Sequence, residues 1–235
     1  PEEISREIMG DAWDSVWVPC RIKGRAGVGV AVRRGRASLE GEPRLVLDDA
    51  ETDVDSGRWL EAVVRPEGGD TPVRVVSAYF HSGEKDTPKQ EAKMAHLPRI
   101  GARMAELLAE EAAGGISSLV CGDFNVVRCE ADIKNWKPNR NKRAGVLDEE
   151  IAFLNQWVDE GWRDTVRDLA GDVQGPYSWW SWRGQAFVNN AGWRIDYQYA
   201  TPTLGERARS FEIGRADEYA ERFSDHAPVS VTYEI

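Results

Sequence analysis

The chain contains 235 residues, 41% of them hydrophobic, with a mean hydropathy of -0.52. This length predicts one globular domain, or at most two small ones, able to bury a core without a disulfide or a metal. The 30 basic and 40 acidic residues give a net charge of -10, which by itself argues against nucleic-acid binding because phosphate-binding proteins cluster Lys and Arg. No apolar stretch approaches the ~18 residues of a membrane span, so no membrane partner is expected.

The chain begins at Pro1, without a Met, and its first ten residues are acidic and lack the apolar region of a signal peptide. The three cysteines, Cys20, Cys121 and Cys129, are an odd number without CxxC spacing. This pattern argues against a disulfide framework and against a zinc ribbon. It is typical of a reducing compartment, and we expect a cytoplasmic protein.

The spacing of apolar residues alternates between strand-like and helix-like segments. In chain order it predicts a helix over residues 2–12, strands over 27–33, 59–64 and 73–79, a helix over 88–113, a strand over 118–121, a helix over 148–160, and strands over 177–182, 194–200, 210–213 and 228–233. Pro98 should start or kink a helix rather than lie within one. No linker-like composition divides the chain, so we predict one α/β domain over residues 1–235, with two packed sheets flanked by helices.

Three polar clusters lie at the ends of predicted strands, where catalytic groups are often found. In the first, Asp123 and Asn125 are two residues apart and point the same way in an extended segment. They could activate a nucleophile or hold a metal-bound water, and an Asx turn that ends the strand explains them equally well.

The second cluster contains Asp196, which is costly to bury without a partner but would be unremarkable at a solvent-facing edge. The third is the pair Asp225 and His226 before the last predicted strand. An Asp-His pair is a weak signal alone. It gains weight because the chain has only 3 histidines.

Five segments resemble one known family when they are taken in order. They are SAYF (77–80), GDFN (122–125), YSWWSWR (177–183), GWRID (192–196) and SDHAP (224–228). Together they are similar to the exonuclease III type of abasic-site DNA repair nuclease, in the exonuclease/endonuclease/phosphatase superfamily. The resemblance covers nearly the whole chain.

The resemblance implies a four-layer α/β sandwich and hydrolysis of a phosphodiester with Mg²⁺, or Mn²⁺ as an alternative ion. Asp123 would orient or deprotonate the attacking water, with Asn125 fixing its position. His226, oriented by Asp196, would donate a hydrogen bond to the scissile phosphate. Tyr79 would bond to the phosphate or assist the leaving oxygen.

The resemblance also implies a metal site and a pocket. Asp225 would lie near the metal. Trp179, Trp193 and Ile195 match positions that line the family's pocket for a flipped sugar without a base, and a tight apolar slot would exclude normal nucleotides. Packing within a sheet is the alternative explanation for these aromatic residues.

A basic loop lies between residues 133 and 147, with five basic side chains and no acidic one before Leu147. The family has a DNA-contacting loop here, so the resemblance implies that DNA is contacted by Asn135, Lys137, Asn139 and Arg140, and by Arg183 of the aromatic segment. A solvated basic loop is the plainer explanation. Clustered basic residues on one face would make the acidic net charge compatible with DNA binding.

The chain departs from the family at its start. The family begins with a strand–helix–strand unit of ~30 residues that ends in the glutamate serving as principal metal ligand, and neither is present. Glu2 and Glu3 lie in a helical rather than a strand-end context, so they are not substitutes. We expect that the sequence is a portion of a longer chain. His81 and Ser82 also differ from the family, which usually has proline after the tyrosine segment.

The sequence therefore predicts a DNA repair nuclease that cleaves 5′ to abasic sites and trims 3′ ends. Its expected partner is double-stranded DNA with abasic sites or 3′ ends, and it is expected to be a monomer that works at the nucleoid. Two alternatives stay open. One is another phosphoesterase of the same superfamily, and the other is an inactive homologue that binds abasic DNA.

Overall fold

The structure is a computed structural model that describes residues 2–69 and 71–235; Pro1, the first residue of the chain, lies outside them. The strands are β1 (Trp13–Pro19), β2 (Gly27–Arg33), β3 (Ala37–Arg44), β4 (Trp59–Pro66), β5 (Val73–Tyr79), β6 (Ser117–Asp123), β7 (Arg163–Asp164), β8 (Asp196–Ala200), β9 (Ala208–Ile213) and β10 (Val229–Tyr233). The helices are α1 (Glu2–Met9), α2 (Pro88–Ala112), α3 (Trp136–Asn139), α4 (Asp148–Asp159), α5 (Thr165–Ala170) and α6 (Pro202–Gly205).

A six-stranded mixed sheet in the order β3-β4-β5-β6-β8-β7 forms the middle of the molecule. Strands β5 and β6 are parallel, and the long helix α2 connects them. A parallel pair requires such a crossover. The other neighbouring pairs of this sheet are antiparallel.

Each face of this sheet packs against a different layer. One face packs on α2 and α4 through Val120, Tyr199, Leu107 and Trp157, which are all almost fully buried. The opposite face packs on two antiparallel strand pairs, β1-β2 and β9-β10, which do not pair with each other. Helix α1 contacts β1, and helix α5 contacts β9 and the central strands β7 and β8.

The layers confirm the predicted α/β sandwich with two packed sheet layers and flanking helices. The second layer consists of two separate antiparallel pairs rather than one mixed sheet. Among the described residues no helix is both long enough and apolar enough to cross a membrane.

Several predicted elements differ from the structure. Pro98 lies inside α2, which continues through it without a break. Residues 177–182 form no continuous strand and make only isolated bridges, at Trp179 with Trp193 and His226. Strands β1 and β3 were missed: β1 carries Asp14 and Ser15, and β3 carries polar or turn-forming residues at most positions. The apolar side of α1 is exposed, with Ile8 79% accessible, so its pattern does not mark a core helix.

Candidate active site

The register of three neighbouring strands places three of the predicted residues side by side. Tyr79 at the end of β5 pairs with Asp123 at the end of parallel strand β6. Asp123 pairs in turn with Asp196, the first residue of antiparallel strand β8. Paired residues of adjacent strands direct their side chains to the same face, so these groups converge at one edge of the sheet.

His226 reaches the same edge from the segment before β10. Its Nδ1 lies 2.9 Å from Oδ2 and 3.1 Å from Oδ1 of Asp196. Its Nε2 lies 3.9 Å from Oδ2 of Asp123, which is beyond hydrogen-bond length. The Asp196 carboxylate therefore fixes the imidazole ring and leaves the Nε2–H directed at the site.

The local charges favour the imidazolium form of His226. Burial opposes protonation, but the hydrogen bond to Asp196 and the charges of Asp196, Asp123 and Asp225 outweigh it and raise the pKa of His226 to about 9. Burial and then the charge of Asp196 raise the pKa of Asp123 to about 7. At neutral pH the site thus holds a charged hydrogen-bond donor beside a carboxylate that can take up a proton.

Asn125 holds Asp123 in place. Its backbone N–H donates to Oδ1 of Asp123 at 2.8 Å, and its Nδ2 donates to Oδ2 at 2.9 Å and to the carbonyl of Phe80 at 3.1 Å. The first of these bonds is an Asx turn, so that explanation of the motif is confirmed, while the catalytic explanation stays a prediction. Asn125 has φ 53°, in the left-handed region that asparagine tolerates better than most residues.

A buried ion pair lies beneath this turn. Lys93 of α2 donates to the carbonyl of Asn125 at 2.9 Å and pairs with Glu150 of α4 at 2.7 Å, and both side chains are almost fully buried. Lys93 was not predicted as a site residue from the sequence. The sequence does contain one indication of its burial: Lys93 is in helical register with Leu97, Ile100 and Met104, where an apolar residue is expected.

A hollow opens in front of these groups. It is lined by Tyr79, Ser82, Asp123, Asn125, Ala144, Trp179, Trp193, Ile195, Asp225 and His226. The rings of Trp179 and Trp193 meet edge to face with centroids 5.6 Å apart, and Nε1 of Trp179 donates to Oδ2 of Asp225 at 3.0 Å. The predicted pocket residues therefore share one cavity with four of the five predicted catalytic residues. The fifth, Asp196, does not line it and acts on it through His226, and Trp179 and Trp193 also form a bridge.

Ser178 is a second residue that the sequence analysis missed. Its hydroxyl donates to Oδ2 of Asp196 at 2.6 Å and accepts the backbone N–H of Asp196 at 3.1 Å. It lies within the aromatic segment and carries no charge, so only its position beside Trp179 could have drawn attention to it.

Arg194 anchors the segment that carries Ile195 and Asp196. This arginine is fully buried and binds both Asp132 and Asp164, with four N–H···O distances between 2.7 and 2.9 Å. Buried ion pairs of this kind need such complete hydrogen bonding to offset the loss of hydration. The network fixes the strand that presents Asp196 to His226.

The predicted DNA-contacting loop reaches the hollow only at Ala144, and its predicted DNA-binding side chains lie outside it. None of Asn135, Lys137, Asn139, Arg140 and Arg183 lines the cavity. Arg140 pairs with Asp148 at 2.8 Å, and Nδ2 of Asn139 donates to the carbonyl of Asn135 at 2.6 Å. The loop is tied to the site at Lys134, whose N–H donates to the carbonyl of Gly192 at 3.1 Å.

Within residues 2–69 and 71–235, no group of three or more His, Cys, Asp or Glu side chains forms a metal cluster. Two carboxylates, of Asp123 and Asp225, line the hollow. Mg²⁺ is commonly held by one or two protein carboxylates together with water and substrate phosphate oxygens. This pair fits such an ion only if other oxygen atoms complete its coordination.

The model of the Endonuclease/Exonuclease/phosphatase family matches residues 4–226. The chain belongs to this family. It is 40% identical over 117 residues to "Exodeoxyribonuclease" of Bacillus subtilis (strain 168), a match that covers 50% of this chain and 44% of the relative. It is 27% identical over 214 residues to "Exodeoxyribonuclease III" of Haemophilus influenzae, covering 88% and 76%.

A third relative is "DNA-(apurinic or apyrimidinic site) endonuclease" of Dictyostelium discoideum, which is 31% identical over 115 residues. That match covers 49% of this chain and 31% of the relative, so the chain spans less than half the length of two of these relatives. The fold is similar to that of an AP endonuclease from Archaeoglobus fulgidus, with a TM-score of 0.78 and 23% identity over 95% of this chain and 80% of that structure.

Proposed function

We propose that this protein is a DNA repair nuclease that hydrolyses phosphodiesters 5′ to abasic sites and trims 3′ ends. One observation carries the proposal: Tyr79, Asp123, Asn125 and His226 surround a hollow whose other walls include two tryptophans. The names of the relatives, which include exodeoxyribonucleases and an abasic-site endonuclease, support it.

The reaction follows from the charge states of the site. Asp123, with a pKa of about 7, is suited to accept the proton of an attacking water at neutral pH. Nδ2 of Asn125 is committed to Asp123 and Phe80, so Asn125 orients the carboxylate and offers only its Oδ1 to the water. The expected role of Asn125 in fixing the position of the water therefore depends on its Oδ1.

His226 stabilises the charge that develops on the phosphate. Its Nε2–H faces the hollow, and its imidazolium form persists up to about pH 9. A charged donor placed in advance where negative charge develops is among the strongest sources of catalysis. Burial, followed by the charge of Asp123, raises the pKa of Tyr79, so its phenol stays neutral and can donate to the phosphate or to the leaving 3′ oxygen.

We propose Mg²⁺, or Mn²⁺ in its place, as the cofactor, with Asp225 as its carboxylate ligand from this chain and Asp123 left free as the base. Such an ion would supply further neutralisation of the phosphate charge. A sugar without a base would enter the hollow against Trp179 and Trp193, and these rings would exclude a nucleotide that carries its base. We further propose a monomer in the cytoplasm, in accord with three cysteines that remain free.

The test is cleavage of a 5′-labelled duplex that carries one tetrahydrofuran residue in place of a nucleotide, with Mg²⁺, resolved on a denaturing gel. We expect a nick 5′ to that residue, and a loss of at least about 100-fold in rate for Asp123→Asn. Asp168→Asn serves as the control, because Asp168 is an exposed residue paired with Arg163. Equal nicking of an undamaged duplex, faster hydrolysis of inositol phosphates, or full activity of Asp123→Asn would contradict the proposal.

A further inference from the structure

An exposed aromatic patch lies beside the candidate active site. It consists of Trp182, Val188, Tyr219 and Phe223, which are 45%, 66%, 46% and 87% accessible. Single apolar residues are common on protein surfaces, but a contiguous group of large ones usually marks a binding site. Among residues 2–69 and 71–235, no other large apolar side chain is as exposed as that of Phe223.

The rings of the aromatic patch are held in place by residues beneath them. Trp182 and Tyr219 meet edge to face with ring centres 6.0 Å apart, and Tyr219 contacts the buried ring of Phe187 at 6.2 Å. The guanidinium of Arg222 lies 4.1 Å from the ring centre of Trp182 and donates to the carbonyl of Trp180 at 2.6 Å. A partner that stacks on this patch therefore meets rings that are already ordered, which lowers the entropy cost of binding.

The aromatic patch is continuous with the candidate active site. Phe223 is two residues from Asp225, so their Cα atoms are at most about 7 Å apart, and Asp225 lines the hollow. A small cavity of about 280 Å³ is lined both by Phe223 and by His226. Successive nucleotides of a duplex lie about 3.4 Å apart along a strand. The patch is therefore within about two nucleotides of a phosphate bound at His226.

The charges around the aromatic patch favour a base over a phosphate as the group that it binds. Arg215 and Arg222 lie over aromatic rings beneath the patch and form no ion pair within the described part of the chain. Three exposed carboxylates share their loop, those of Asp217, Glu218 and Glu221. These carboxylates repel a phosphate, whereas a nucleobase is flat and uncharged, and any base can stack on an aromatic ring.

We propose that the aromatic patch binds an unpaired nucleobase of the strand that is cut, within about two nucleotides of the scissile phosphate, and that the base stacks on Phe223. The inference rests on the proposed function, because it takes the cut strand to lie across His226. It adds a substrate class, which is DNA with an unpaired nucleotide beside the abasic site or the 3′ end. A base without a pairing partner is extruded at the least cost, so the patch favours this DNA over a fully paired duplex.

The test measures stacking with 2-aminopurine, a base analogue whose fluorescence is quenched when it stacks on an aromatic ring. Each probe is a duplex with one tetrahydrofuran residue, kept in EDTA to prevent cleavage. The analogue is placed in the cut strand at each of the two positions on either side of that residue, either paired with thymine or unpaired. A further probe carries the analogue in the opposite strand, facing the tetrahydrofuran residue. Binding of every probe is measured by fluorescence anisotropy.

The proteins compared are wild type, Phe223→Leu, Phe223→Tyr and Ile8→Ala. Leucine keeps an apolar side chain but removes the ring, and tyrosine keeps the ring. Ile8→Ala is the matched control, because Ile8 is an apolar residue of α1 that is 79% accessible, and α1 contacts β1. Phe223 is 87% accessible, so its substitutions should not affect folding.

We expect wild type, Phe223→Tyr and Ile8→Ala to quench the unpaired analogue at one position of the cut strand. Phe223→Leu should lose this quenching and bind that probe about 5-fold more weakly, which is the lower end of what stacking on an aromatic side chain contributes. Its binding of the paired probes should change by less than about 2-fold, because a paired base makes no such stack. The effect should persist between about 50 and about 200 mM salt, because no phosphate contact is lost.

The inference is overturned if Phe223→Leu quenches and binds every probe as wild type does, which is the result expected if the patch binds a protein partner instead. Quenching confined to the opposite strand, or equal quenching of paired and unpaired probes, also overturns it. All arms are repeated on duplexes without the tetrahydrofuran residue. Quenching that depends equally on Phe223 there supports the patch and contradicts a preference for abasic sites. Nicking of abasic DNA by wild type, without quenching that depends on Phe223, contradicts only the inference.

Discussion

The protonation of His226 depends on Asp196, and the substitution Asp196→Asn tests that dependence. The carboxylate contacts Nδ1 of the imidazole at 2.9 Å, and its hydrogen bond and charge are the main causes that raise the pKa of His226 from 6.5 to about 9. Asparagine keeps the size and one oxygen of the side chain but removes its charge. We therefore expect the pKa of His226 to fall, so that its imidazolium loses its proton at a lower pH.

The size of the effect follows from the pKa. A rise from 6.5 to about 9 corresponds to about 3 kcal/mol. The imidazole is 32% accessible, so solvent screens part of this energy and we expect Asp196 to contribute about 1–2 kcal/mol. The pKa of His226 should therefore fall by about 1 unit or more in Asp196→Asn. Because the folded state raises this pKa, the associated stability is fully present below pH 6.5 and is lost as the pH rises through about 9.

The assay is a proton NMR titration of the imidazole Cε1–H signals between pH 5 and pH 10. The chain has only 3 histidines, and burial lowers the pKa of His81 and brings that of His96 to about 3. The signal that titrates near pH 9 is therefore that of His226. The alkaline limb of the pH–rate profile for nicking should move down with it.

Asp168→Asn is the matched control, because it removes an exposed carboxylate that is paired with Arg163. It should leave the His226 titration unchanged. If His226 still titrates near pH 9 in Asp196→Asn, Asp196 does not hold its proton and the reasoning fails. If its titration moves but the alkaline limb does not, His226 is not the charged donor of the reaction.

Two further predictions concern how the buried charged residues of the site affect the free energy of unfolding. Because the pKa of Asp123 is raised to about 7 in the folded state, its stability contribution is lost as the pH rises through 7. Asp123→Asn should therefore raise the free energy of unfolding at pH 8 by about 2–4 kcal/mol, leave it nearly unchanged at pH 4, and abolish nicking. Equal urea midpoints of the variant and wild type at pH 8 would contradict this. Lys93→Met leaves Glu150 buried without its cation and should lower the free energy of unfolding by about 3 kcal/mol. Lys93→Met with Glu150→Gln should recover part of that loss, and equal urea denaturation of the single and double variants would contradict it.

Sequence patterns predicted the strands that carry the candidate site better than they predicted the sheet layers. The residues of the site lie at strand ends, and β5, β6 and β8 have strongly apolar or alternating patterns that predict strands. Strand β3 was missed because its core-facing residues are few and Pro43 lies within it. Its register is set instead by pairing with β4, including an ion pair between Glu40 and Arg65. Local patterns do not contain such long-range pairing.

The contacts that support the site were also not predicted from the sequence. Lys93, Ser178 and Arg194 act on the site through Asn125 and Asp196, and each lies far along the chain from at least one of its partners. A single sequence carries no direct sign of such contacts. In a sequence, a buried lysine is recognisable only by its place on an apolar helix face. A buried arginine outside a helix cannot be told from an exposed one. The aromatic segment at 177–182 was read as a strand because it alternates, but its residues are held by isolated bridges to Trp193 and His226.

The electrostatics of the site explain why it needs so many buried supports. Asp123, Asp196 and Asp225 converge on one histidine, and burial together with mutual repulsion raises the pKa of Asp123 into the range where it can exchange a proton. Such a cluster opposes folding at neutral pH. The charges of His226 and, to a smaller extent, of Lys93 partly offset this rise in the pKa of Asp123. The buried Lys93 is neutralised mainly by Glu150, so the cation that chiefly offsets the charge of the candidate base is His226, which Asp196 holds in place.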